Sequence, residues 1–311
     1  MNEIDVARHS SLIDPHLHVW GWEIPVYLFL GGMAAGIMIL GALLGMRRDA
    51  RSAATRWLAF APAALLSVGM LALFLDLAHK LHVWRFYLAF RWTSPMSWGA
   101  WILVVIYPVS LLLALGDLDE HRAARVESLL GRFGLASLAR AARGFASPRL
   151  AALRLTSIGV GIGLGVYTGI LLSTLGARAL WSSALLGPLF LVSGVSTGAA
   201  FMMLFPVSEE ERHALARWDL VAMGVELLLI ALWLVGLATS GAAARDAAAL
   251  VLGGPFTAQF WTVVVAAGLL VPALLEALEA RLALRFTLAA PALVVAGGFA
   301  LRWILVAAGQ A

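Results

Sequence analysis

Six side chains able to exchange protons or to hydrogen-bond a ligand stand at the margins of apolar runs or inside them: Glu23, Tyr27, Asp76, His79, Tyr167 and Arg302. Ionisable groups inside a hydrocarbon layer are costly, so each calls for a partner or a polar cavity. Asp76 and His79 are three apart, which puts them on one helix face. Two more carboxyls, Asp219 and Glu226, are seven apart, about two helical turns, and therefore roughly aligned. They would form either an inner proton or cation path, or a protonated carboxyl that stabilises a helix bundle. A salt bridge of Asp76 or Glu23 with Arg302 is the structural alternative to a site for the first group.

The elements that must position these residues are apolar helices. Of 311 residues, 62% are hydrophobic and only 13% charged, which identifies a polytopic all-α membrane protein. Runs long enough to cross about 30 Å of hydrocarbon lie at 22–46, 57–79, 96–116, 152–174, 181–205, 215–238, 256–276 and 286–307, giving eight expected transmembrane helices. The longest polar connection, 117–151, reads as one or two amphipathic helices on the inner membrane surface.

The net charge of +4 does not point to nucleic acid, because the arginines cluster in short connections between apolar runs. With the N-terminus outside, the inner connections hold 15 of the 22 basic residues, among them Arg47, Arg48, Arg51, Arg56, Arg281 and Arg285. Both termini are then expected on the periplasmic side. Helical rise puts Tyr167 and Arg302 in the outer halves of their spans, at the depth of Glu23, Tyr27, Asp76 and His79. Trp20, Trp22, Trp84, Trp92 and His82 read as interface anchors.

Several classes are disfavoured. Cysteine is absent, so the chain can hold no cysteine-ligated iron–sulfur cluster, c-type haem or disulfide. The seven histidines fall in connections or at helix ends, so no b-type haem is expected either. His16 and His18 alone make a weak metal signal, and no metal site is expected. The polar leader has neither a basic n-region nor a cleavage pattern, so no cleaved signal peptide is expected.

The halves share a pattern: "GGMAAG" in the first span resembles "SGVSTG" in the fifth, and "SPMSWGAW" resembles "GPFTAQFW". Gly36 and Gly198 are 162 residues apart, Pro95 and Pro255 160. Two parallel-repeat four-helix bundles are expected, with Gly32/Gly36 and Gly194/Gly198 allowing backbones to approach closely.

Taken in order, "WGWEIPVYLFLGGMAAG", "DLAHKLHVWRFYLAFRWTSPMSWGAW", "VYTGILLSTLGARALW", "PLFLVSGVSTGAA", "GPFTAQFW" and "ALRWILVAAGQ" resemble the NrfD family, the polysulfide-reductase-type membrane subunit often called PsrC. The resemblance covers nearly the whole chain. It implies a haem-free protein of the bacterial inner membrane that binds a quinone, menaquinone or ubiquinone, near the outer face. It also implies partners: a periplasm-facing four-cluster iron–sulfur subunit that serves a molybdopterin catalytic subunit. By resemblance, Tyr167 of "YTG" matches a family quinone-site tyrosine, Asp76 the aspartate of the "DL" motif, and Tyr27 falls where at least one relative has histidine.

A quinone head is a planar ring with two carbonyl oxygens, so it needs an apolar slot, a donor at each end and a group that exchanges protons. Tyr27 and Tyr167 would donate, with Arg302 at the same depth. Glu23, Asp76 or His79 would exchange protons, and Trp22 or Trp98 would wall the ring. Two other functions compete: a secondary transporter or ion-translocating subunit built on Asp219, Glu226 and Arg302, and an anchor with no chemistry of its own.

Overall fold

The computed structural model describes residues 20–47, 51–77, 79–88, 90–174, 178–282 and 287–311. His16, His18, Arg48 and Arg285 lie outside them. Among the described residues all regular structure is helical. Seven helical stretches are long and apolar enough to cross a membrane: Glu23–Met46, Pro95–Gly116, Ala136–Ser173, Leu186–Met203, Glu209–Thr239, Thr257–Glu279 and Ala289–Ala308. An eighth apolar helix, Ala61–Asp76, has 16 residues. The chain is a polytopic helical membrane protein.

We label the helices that matter below α1 (Glu23–Met46), α2 (Ala61–Asp76), α3 (Pro95–Gly116), α4 (Glu120–Gly131), α5 (Ala136–Ala146), α6 (Leu150–Ser173), α7 (Leu186–Met203), α8 (Glu209–Thr239), α9 (Val271–Leu282) and α10 (Ala289–Ala308). The run expected at 57–79 is divided: the short helix Ala53–Leu58 ends in a turn, and Pro62 in the first turn of α2 starts the next helix. The connection 117–151 forms two helices, α4 and α5. α8 begins earlier than hydropathy suggests because Ser208 and Glu211 form a capping box, Ser208 Oγ accepting from the Glu211 amide and Glu211 Oε2 from the Ser208 amide. Before α9, Phe260–Leu270 winds as a π-helix.

α1 is central. It packs against α2, α6, α7 and α10, while α7 also packs against α6, α8 and α10. The α1–α7 contact is a meeting of glycines: a Cβ on Gly198 would lie 2.7 Å from the Gly36 carbonyl carbon, and one on Gly36 2.8 Å from that of Gly194. The expected close approach is therefore between these two motifs themselves. Apolar side chains such as Val68, Leu155, Val221 and Leu274 point outward from the surrounding helices, as a lipid-facing surface requires.

The two ends of the described chain are tied together. The Trp20 amide donates to Gln310 Oε1 at 2.9 Å, and Gln310 Nε2 donates to Trp20 O at 3.1 Å. Trp181 stacks on Trp20 with centroids 5.2 Å apart and donates to Leu305 O at 2.7 Å. At the opposite, arginine-rich end, the buried Asp117 pairs with Arg51 and accepts from Arg154 Nη2 at 2.9 Å, while Arg56 donates to its carbonyl at 3.0 Å. One carboxylate thus joins the connections that begin α2, end α3 and begin α6.

Candidate functional site

Tyr27 and Tyr167 face one cavity of about 440 Å³ at the Trp20–Gln310 end of the helices. Tyr27 is one turn into α1, against Gly69 of α2. Tyr167 of α6 reaches the cavity across Gly99 of α3; any Cβ there would overlap its ring. Both tyrosines are buried.

Tyr87, on the short helix Arg85–Leu88, and Ser67 of α2 complete the polar lining. Ser67 Oγ donates to Ala63 O at 2.8 Å and lies 3.1 Å from Tyr107 Oη, so all four tyrosines of the chain stand in or beside this cavity. Burial, with a contribution from Tyr107, pushes the Tyr87 hydroxyl above its ordinary value, which keeps it a donor.

The remaining walls are apolar, from Met70, Leu73, Phe74, Leu77 and Leu103. α2 and α3 touch little, and between them Leu71 (58% exposed) and Phe74 (38% exposed) line the cavity while facing outward. The opening is therefore toward the apolar surface. A volume within the roughly 300–1,000 Å³ of small-molecule pockets, apolar walls and a few hydroxyls fit a flat, weakly polar ring with an apolar tail.

The other expected site residues have different places. Glu23 opens α1 and Asp76 closes α2; both are half-buried, and their carboxyl charges interact. Neither lines the cavity, although Asp76 directly precedes the lining residue Leu77. His79 is exposed with its ring 6.2 Å from His82, and Trp22 is half exposed. Trp98 donates its Nε1–H to Trp92 O at 2.8 Å and lies with Phe90, Trp92 and Trp101 along a separate apolar groove toward α6. The apolar wall of the cavity is made of aliphatic and thioether side chains and Phe74, and neither Trp22 nor Trp98 lines it.

The alternative of a salt bridge of Arg302 with Asp76 or Glu23 does not hold among the described residues. Arg302 is fully buried and turns toward α7: Nη1 donates to Ser193 Oγ at 2.5 Å and to Gly298 O at 3.0 Å, Nη2 to Phe190 O at 3.2 Å. Gly32 of α1 leaves room for the guanidinium: a Cβ there would stand 3.1 Å from Arg302 Nη2. Glu226 of α8 is likewise buried in the interior, and its charge interacts with that of Arg302. Asp219 is also fully buried and accepts from Ser196 Oγ at 2.5 Å.

Sequence reasoning missed Tyr87, which has no neighbouring pattern to single it out. It also missed Glu276, 1% exposed on α9. Glu276 stands at the edge of an apolar run and reads there as a boundary. The π-helix before it has more residues per turn than an α-helix, so ordinary helical spacing does not carry across it.

The family model "Polysulphide reductase, NrfD" matches residues 10–311. The chain belongs to the NrfD family. Among NrfD relatives, the C polypeptide of polysulfide reductase from Wolinella succinogenes is 30% identical, with 94% of each protein covered. Protein NrfD of Escherichia coli is also 30% identical, over 94% of this chain and 95% of that protein. The C polypeptide of tetrathionate reductase from Salmonella typhimurium is 25% identical over 77% of this chain and 65% of its own length. Both reductase names denote one component among several. This NrfD chain is thus a multi-pass integral membrane protein, and lacking cysteine it carries no cysteine-ligated iron–sulfur cluster.

Proposed function

We propose that the chain is the haem-free membrane anchor of a multi-subunit respiratory oxidoreductase in the bacterial inner membrane, working on menaquinone or ubiquinone in the tyrosine cavity near the periplasmic face. The observation that carries this reading is that Tyr27 and Tyr167, from helices far apart in sequence, face one apolar cavity that opens toward lipid. Tyr27 and Tyr167 would hold the ring oxygens by donated hydrogen bonds, with Tyr87 as a third donor. A lipid-side opening suits a ligand that arrives dissolved in the membrane.

A quinol that becomes a quinone releases two electrons and two protons. The electrons would pass to a periplasm-facing four-cluster iron–sulfur subunit and from it to a molybdopterin subunit; the reverse flow reduces quinone. The protons would leave by Asp76 and Glu23 at the cavity's outer end, with His79 in the exposed connection beyond. The chain contributes binding, orientation and a proton exit, and its partners contribute the redox centres.

The same reading takes the molecule as eight spans in two parallel four-helix bundles with both termini outside. The Trp20–Gln310 pair supports it, because only an even number of crossings returns a chain to the face where it began. Seven long helices and α2 make eight. The glycine contact between α1 and α7, at nearly one sequence offset, supports the pairing of the bundles.

The test is oxidation of a water-soluble quinol analogue by the purified complex. Tyr27→Phe and Tyr167→Phe each remove one hydroxyl and keep the ring, and loss of a hydrogen bond in a water-poor site predicts about a tenfold fall in kcat/KM for each. Wild-type rates in both variants would remove the cavity as the site. No quinol dependence in the wild type would remove the quinone reading altogether.

A further inference from the structure

The hairpin of α4 and α5 carries side chains that the tyrosine cavity does not use. The two helices pack on each other, α5 packs on α3, and the chain turns between them at Gly134, whose φ is +74°. Phe133 at the turn is 78% exposed, and Leu129, Leu135 and Leu138 on either side of it are exposed as well. Large apolar side chains exposed together mark an interaction surface.

The charge around this apolar tip is of one sign. From Ser128 to Arg154 the sequence has five arginines and no acidic residue. Arg125, Leu129 and Arg132 follow at helical spacing and share one side of α4. Arg125 and Arg132 are exposed and have no ion pair among the described residues, whereas Arg122 pairs with Asp119 and Arg143 donates to Leu118 O. On α5, Phe145 is exposed and the Arg149 guanidinium lies over its ring, 4.3 Å from the centroid, while Arg149 Nη1 donates to Phe145 O at 2.9 Å.

Helical rise gives the depth of the hairpin. The helical stretch Ala136–Ser173 has 38 residues, about 57 Å at ordinary rise, against about 30 Å of hydrocarbon. The 24 residues of α6 run about 36 Å and suffice to cross it, so α5, joined to α6 through the single turn Ser147–Arg149, starts at headgroup level. Leu155, Ala152, Arg149, Phe145 and Leu138 are all exposed and follow one another at intervals of three, three, four and seven. The lipid-facing side of α6 thus runs on into the exposed side of α5.

We propose that this hairpin binds anionic phospholipid in the leaflet at the arginine-rich end. Phe133 enters the headgroup layer with Leu129 and Leu138, and Arg125, Arg132 and Arg149 hold lipid phosphates through their guanidinium forks. A protein partner fits less well, because the apolar side of the hairpin continues the side of α6 that the bilayer covers. The inference does not depend on the quinone reading.

The chain contains no cysteine, so Phe133→Cys can carry a single polarity-sensitive fluorophore without background. The purified full chain is compared in nanodiscs of phosphatidylcholine alone and with phosphatidylglycerol added. Phosphatidylglycerol should shift the emission to the blue and increase its quenching by lipids spin-labelled near the headgroup. The same label at Leu138→Cys, with Phe133 in place, should report the same change.

Arg125→Gln and Arg132→Gln, both on the surface, should each raise the phosphatidylglycerol fraction needed for half the shift by about fivefold. Added salt should weaken the shift with every arginine in place. Emission like that in water in both lipids would overturn the proposal, as would a shift that neither lipid charge, the arginine variants nor salt alters. Emission that stays water-like with phosphatidylglycerol and shifts only when other subunits of the complex are added would overturn it in favour of a protein-docking surface.

Discussion

Gly36 of α1 and Gly194 of α7 lie so close that a single added carbon on Gly36 would stand 2.8 Å from the Gly194 carbonyl carbon. In lipid, apolar side chains gain little from facing each other, and helices hold together by close backbone packing. Gly36→Leu is therefore expected to weaken the fold by about 3 kcal/mol through overpacking. Gly41→Leu, one turn further along the same helix with nothing within 4 Å of its Cβ position, is expected to be tolerated. Thermal unfolding of the two purified variants in detergent checks the contrast.

Asp117 supplies the second prediction. It is buried at the arginine-rich end and answers Arg51 and Arg154 together. Removing one partner from a buried ion pair leaves the others uncompensated, so Asp117→Asn should cost about 3 kcal/mol. The loss should register as a lower melting temperature and earlier proteolysis of the connection between α3 and α4.

Gly99 and Tyr167 supply the third. Because the Tyr167 ring occupies the space where a Gly99 side chain would be, Gly99→Ala must displace the ring. A shift of about 1 Å in a positioned group can cost about a hundredfold in rate, and that is the fall expected in kcat/KM for quinol. Gly99→Ala and Tyr167→Phe should then combine less than additively, since they act through one side chain.

The fourth concerns α4. Asp119 caps it: Oδ1 accepts from the Arg122 amide at 2.9 Å, and that bond, aided by nearby cations, holds the carboxyl below the usual range. A carboxylate favoured by the folded state contributes stability that is present above its unfolded value of about 3.9. That contribution is lost as pH falls through the lower folded value. Hydrogen exchange of the Glu120–Gly131 amides should therefore quicken in acid relative to the intrinsic rate. Asp119→Ala should be as labile at neutral pH and lose the dependence.

What the sequence determined by itself follows from length and hydropathy. Crossing a bilayer requires an unbroken apolar run, so the runs holding α1, α3, α6, α7, α8 and α10 are legible without coordinates, as are the two helices of 117–151. Depth is equally legible, because position along a helix is residue count times rise. On that basis Tyr27 and Tyr167 share a level, and they do face one cavity.

Direction around each helix is what only the tertiary structure decided. A soluble helix shows its inner face by an apolar stripe, but a membrane helix is apolar on every side, so the face that turns inward is not written in the pattern. Arg302 therefore stands at a plausible depth yet faces the α7 serines, away from the tyrosine cavity, while Trp98 borders a pocket on another side of Tyr167. Tyr87 joins the cavity from a connection with no periodicity to read. Glu276 is buried on α9 behind a π-helix, whose winding departs from the α-helical spacing by which a face is read.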